Sequence, residues 1–158
     1  MLHLFSLAAF LLAAQAPAPA PTIREPKEWI TAPAPPPQNR LISDQVGLDV
    51  PVGVYGDCSG KAQLGYSGAA VDTCIGGVEY FIGHNPGPFT STLDLKPGSI
   101  LTYFDGNGTA HNYRVVSERT WNRFWGPPPP SQSGVAAQLQ TCVTVDAVWD
   151  RILDAVPD

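Results

Sequence analysis

Ser99-Ile100-Leu101-Thr102-Tyr103-Phe104, then Asp105-Gly106-Asn107-Gly108, then Ala110 to Val116: two runs rich in β-branched and aromatic residues flank a turn. Such side chains suit a pleated, half-buried surface, and Asp-Gly and Asn-Gly pairs tolerate the positive φ of a tight hairpin. The stretch predicts a β-hairpin. Asn107-Gly108-Thr109 also matches a glycosylation acceptor, but the turn is reason enough for those residues.

Toward the N-terminus, Leu93-Asp94-Leu95 runs into the turn signal Lys96-Pro97-Gly98, and Val78 to Ile82 reads as a short strand ending at Gly83. Earlier, Leu41, Ile42, Val46, Leu48, Val50, Val52 and Val54 alternate with polar or small residues, the period of half-buried strands. Toward the C-terminus we expect a long loop after Val116 carrying Trp121, Phe124, Trp125 and Pro127 to Pro130. A strand at Leu139 to Val143 and a last strand at Val148 to Val156 follow, although Ala147 to Ala155 also fits a short helix. Short strands parted by turns predict a mainly β domain, a single small closed β-barrel of about 7–8 strands with short helices or 3-10 turns.

Composition agrees. The 158 residues leave room for one ordinary domain, with 15 glycines, 17 prolines and only 15% charged side chains. The net charge of -5 offers no basic stripe for phosphate, which argues against a nucleic-acid partner. Residues 1–16 read as a secretory signal peptide: an apolar run through Leu12, then the small-x-small pattern Ala14-Gln15-Ala16. The run is shorter than the ~20 residues a membrane-spanning helix needs. Residues 17–39 are rich in alanine and proline and read as an extended linker, with Trp29 and Ile30 interrupting it. The barrel is expected over 40–158.

Export would favour pairing two of the three cysteines. Cys58 and Cys74, close in sequence, are the natural pair, leaving Cys142 as a free thiol; pairing of Cys142 with either is the alternative. A free cysteine, a distant histidine and a guanidinium are the parts of thiol-based acyl transfer. His84 and Arg151 are the candidates, and His111 is the competing base. Arg114, Arg119 and Arg123 rival Arg151 by residue type, though surface solubility accounts for them. A zinc site from Cys142, His84 and His111 has no paired ligand spacing behind it.

Three blocks resemble the sortases, secreted cysteine transpeptidases. Tyr80-Phe81-Ile82-Gly83-His84-Asn85, continued by Phe89 and Leu93 to Ile100, is similar to the strand and loop that present their histidine. Leu139-Gln140-Thr141-Cys142 is similar to their TLxTC motif, with Gln138 in place of its first threonine. Trp149 to Val156 resembles the final strand carrying their arginine. The resemblance, of a class E/F-like kind, implies a barrel in which Cys142 forms a thioester, His84 serves as acid and base, and Arg151 stabilises the oxyanion. It further implies substrate contacts from Thr141, Leu139, Asn85, Trp121 and Trp125. The implied partners are a protein with an LPXTG-like sorting signal and an amine acceptor, either a cell-wall precursor or a pilin lysine. It implies no cofactor or metal, a monomer, and a secreted or cell-surface setting. The alternatives are a non-catalytic sortase-like binding module, a Cys/His peptide hydrolase, and a disulfide-stabilised protein without a free thiol.

Overall fold

The computed structural model describes residues 34–59 and 64–158. The expected signal peptide, Trp29 and Ile30, and most of the linker lie outside them. Eight strands form a closed barrel: β1 (Arg40–Ser43), β2 (Leu48–Tyr55), β3 (Ala69–Asp72), β4 (Glu79–Ile82), β5 (Ile100–Phe104), β6 (Ala110–Asn122), β7 (Ala137–Cys142) and β8 (Trp149–Pro157). Around the barrel they run β1-β2-β3-β4-β7-β8-β6-β5. Only the β2/β3 and β4/β7 pairs are parallel. Three short 3-10 turns, Asp44–Val46, Thr90–Asp94 and Arg123–Trp125, complete the described regular structure.

The expected hairpin joins β5 to β6. Asp105 organises its turn, accepting at Oδ1 from the backbone N–H groups of Asn107 (2.8 Å) and Thr109 (2.9 Å), while Gly108 adopts φ 81°. The 147–155 ambiguity resolves as strand, because every residue of β8 from Trp149 to Asp154 pairs with β6.

Two expectations change. The strand expected to end at Val116 runs on to Asn122, so Trp121 belongs to β6 and the loop begins later. Val116, partly exposed, is the extra residue of a β-bulge between Val115 and Ser117. Before it, Tyr113 and Val115 face the core; after it, Ser117, Arg119 and Trp121 pair with Asp154, Ile152 and Asp150. One inserted residue turns the second half of β6 over. The other change is β3, which the sequence did not signal. Ala69 and Ala70 are both buried, so no polar alternation marks the strand.

The core fills the interior with Leu41, Leu48, Phe81, Phe89, Leu101, Val115, Leu139, Leu153 and Ala155. Each of these leucines, phenylalanines and Val115 contributes roughly 1.5–3 kcal/mol by leaving water. Strand periodicity therefore sorts β7 and β8 into two faces. Leu139, Thr141, Arg151 and Leu153 share one, while Gln140, Cys142, Asp150 and Ile152 share the other.

Candidate active site

Against the outer face lies a cleft of about 440 Å³ whose walls include Cys142, His84, Asp150, Trp121, Arg123 and the Cys58–Cys74 disulfide. Cys142 is the free cysteine and stands half-buried at the end of β7. The expected cysteine pairing is present.

His84 sits in the loop that leaves β4. Gly83 precedes it because a side chain there would drive a Cβ to 2.5 Å from Phe89 Cγ. Phe89, fully buried, closes the loop by donating its N–H to the His84 carbonyl (3.0 Å). Asn85 Nδ2 donates to the Cys142 carbonyl (2.8 Å), and Thr141 Oγ1 donates to the Gly83 carbonyl (2.9 Å). These two bonds tie the histidine loop to the cysteine strand. The His84 ring stacks on Tyr66 at 4.4 Å, and its Nε2 lies 3.1 Å from the Leu64 carbonyl. A carbonyl only accepts, so Nε2 carries a proton and, in the neutral ring, Nδ1 is the acceptor.

Arg151 is elsewhere. Cys142 pairs with Asp150, so Arg151, one residue on, pairs with Thr141 and takes the opposite face. Its Nη1 donates to the carbonyls of Thr92 (2.8 Å) and Leu93 (2.9 Å), its Nη2 to Leu95 (2.7 Å), and Glu118 completes the set. It is not among the cleft residues. The guanidinium that is belongs to Arg123, in the 3-10 turn after β6, whose side chain donates to the Ala147 carbonyl at 3.4 Å.

Leu139 also faces inward, 2% exposed in the core, and is not among the cleft residues. Trp121 lines the cleft because the bulge turned it outward. Trp125 is 76% exposed, meets Trp149 edge-on at 5.1 Å and is not a cleft residue. His111 lies on the hairpin, with Nε2 3.3 Å from Asp105 Oδ2.

A buried polar ladder backs the cleft. Tyr80 donates from its hydroxyl to Gln140 Oε1 (2.7 Å), and Gln140 Nε2 donates to Asp150 Oδ2 (2.5 Å). Farther along the same face, Asp154 accepts from Gln138 Nε2 (2.7 Å), Ser117 Oγ (2.8 Å) and Arg119 Nη2 (3.0 Å). Gln138, the departure from the TLxTC pattern, thus has a structural partner. Burial, then the charge and hydrogen bond of Asp150, push the Cys142 thiol up, while Arg123 pulls it down. The neutral thiol is thereby favoured over the thiolate.

Asp150 escaped the sequence reading, and Arg123 entered it only as a rival of Arg151 by residue type that surface solubility accounted for. No motif marks Arg123, and Asp150 could be placed beside the sulfur only once the β7/β8 register was known.

No protein-family model matches the chain, and no curated protein is similar to it. Solved structures do match. Sortase A of Listeria monocytogenes superposes with a TM-score of 0.56 at 12% identity, over 75% of this chain and 85% of that one. Sortase C of Streptococcus pneumoniae gives 0.59 at 16%, over 77% and 69%, and a lid mutant of sortase A from Corynebacterium diphtheriae gives 0.54 at 15%, over 75% and 68%. The barrel with its β4 histidine loop and β7 cysteine has the sortase fold.

Proposed function

We propose that the chain is a sortase-like cysteine transpeptidase that cleaves a sorting-signal peptide through a Cys142 thioester and passes the acyl group to an amine. The observation that carries this reading is the convergence of Cys142 and His84 on one cleft, their loops joined by the Asn85 and Thr141 hydrogen bonds. Because Cys142 rests as a thiol, the chemistry starts with proton removal. The Nδ1 lone pair of His84 takes the proton, the sulfur attacks the scissile carbonyl, and the imidazolium protonates the departing amine. The substrate is an LPXTG-like signal on a secreted or cell-surface protein, and the acceptor is a cell-wall or pilin amine. One solved relative is itself described in terms of pilin substrate specificity.

The oxyanion needs a cation, and two arginines compete. Arg151 would have to give up three carbonyls and Glu118 to reach the reacting carbonyl. Arg123 already lines the cleft and acts on the Cys142 charge, so we assign it the oxyanion and leave Arg151 to hold the Thr92–Leu95 segment.

The test is to incubate the purified chain and its Cys142→Ala variant with LPXTG-like peptides and read intact mass. An acyl adduct on Cys142, released by a primary amine as the transfer product, is the expected outcome. No adduct from folded protein across a broad peptide set would refute the activity and favour the binding-module alternative. Release by water alone would favour the hydrolase.

A further inference from the structure

Asp150 stands where its chemistry is unexplained by the thiol and imidazole alone. It is 1% exposed and pairs directly with Cys142 across β7 and β8. One carboxylate oxygen, Oδ2, is satisfied by Gln140 at 2.5 Å. The other, Oδ1, is buried with no hydrogen-bond partner among the described residues, although the side chain borders the cleft. An unpaired buried carboxylate oxygen costs several times an ordinary hydrogen bond, so its persistence beside a reactive sulfur calls for a donor that arrives during the reaction.

We propose that Asp150 is the acceptor subsite: its free carboxylate oxygen receives the N–H of a primary amine and selects that amine over water in the second half of the reaction. The inference rests on the acyl-transfer reading above. Asp150 lies across the β7/β8 pair from Cys142, and its charge helps hold the thiol up. Acylation replaces the thiol hydrogen with a carbonyl carbon and so puts the electrophile next to this carboxylate. A carboxylate at the reacting centre then favours an ammonium over a neutral molecule.

The charged and titratable groups around it fit. Arg123 comes from the turn after β6, His84 from the loop after β4, Asp72 from β3, Tyr80 from β4 and Arg119 from β6. Asp154 spends its charge on Arg119, and Arg123 is assigned to the carbonyl oxygen, which leaves Asp150 to face the nucleophile.

The step balances as follows. The ammonium gives one proton to His84, which passes it to solvent. The amine nitrogen attacks the thioester carbon, the C–S bond breaks and the amide bond forms. Of the two N–H protons that remain, one passes through the Asp150 carboxylate to the departing sulfur, restoring thiol and carboxylate, and the other stays on the amide nitrogen.

The test does not need the natural sorting peptide. N-acetylthreonine benzyl thioester loads Cys142 by thioester exchange, releasing benzyl mercaptan. The loaded chain is then offered glycinamide, largely an ammonium at neutral pH, or hydroxylamine, which is neutral there. In Asp150→Asn, release by glycinamide relative to water should fall about 10-fold while release by hydroxylamine changes little. The alkylation rate of unloaded Cys142 by iodoacetamide should reach half its maximum at lower pH in the same variant, because the carboxylate charge beside the sulfur is gone. Equal loss with both nucleophiles, or no loss, overturns the inference. If Asp150→Asn does not fold, the wild-type chain decides: saturation of the release rate with glycinamide supports a subsite, and strict proportionality to its concentration overturns it. Failure of Cys142 to load overturns the nucleophile itself, whereas loading without discrimination overturns only the role of Asp150.

Discussion

The two faces of the β7/β8 pair carry similar side chains with opposite fates. Thr141 and Arg151 face inward and are consumed by backbone: Thr141 by the Gly83 carbonyl, Arg151 by three carbonyls of the Thr92–Leu95 segment. Cys142 and Asp150, each one residue away, face the cleft with a free thiol and a carboxylate oxygen that has no partner among the described residues. An ionic group that has spent its hydrogen bonds holds a structure together, and one that has not is available to a substrate. A displacement of one residue along a strand separates the two roles.

The hardest test of this division is Cys142→Ala. Loss of all acyl adduct is expected, read by mass spectrometry, with little change in the urea unfolding midpoint. Arg123→Ala comes next: about 10²–10³-fold slower adduct formation, the cost of removing one oxyanion donor, with stability within about 0.5 kcal/mol for an exposed residue. Its inner counterpart should behave the other way. Arg151→Met leaves three carbonyls without their donor and should lower unfolding free energy by about 3 kcal/mol, with Cys142 alkylation unchanged. If Arg151→Met left stability intact and abolished the adduct, the division between the faces would be gone.

Smaller effects sharpen the picture. Replacing both Cys58 and Cys74 with serine removes a crosslink between residues 16 apart and should cost roughly 3 kcal/mol in denaturant unfolding on the loop-entropy model. The smallest effect is that of pH. Burial and then Asp150 raise the folded-state thiol of Cys142, so its neutral form is favoured in the fold. Its contribution to stability is complete below the unfolded cysteine value of about 8.5 and is lost as pH rises through the folded one. Iodoacetamide rates against pH should place the midpoint above the ordinary cysteine range; a midpoint below it would contradict the resting thiol.

Much of the barrel was legible. The β5/β6 hairpin rests on Asp105-Gly106-Asn107-Gly108, whose turn chemistry is local, and β8 could be read because its apolar residues form one compact run. β3 was not legible, since Ala69 and Ala70 are buried on both faces and leave no alternation to detect. Cys142 and His84 stood out as candidates from residue type and neighbouring motif, and both line the cleft. Trp125 and Leu139 were not placed correctly relative to the cleft, because proximity in sequence to a functional residue says nothing about which face a side chain takes.

What the chain determined by itself is whatever depends on near neighbours: strand periods, the hairpin turn, and Gly83 before His84. Tertiary structure alone decided the rest. The extra residue at Val116 turned Trp121 toward the cleft, and the β7/β8 register set Asp150 rather than Arg151 beside the sulfur. The physical reason is that side chains alternate with a period of two along a strand, so facing depends on how distant strands are aligned. That alignment is a property of the closed barrel, which local sequence does not contain.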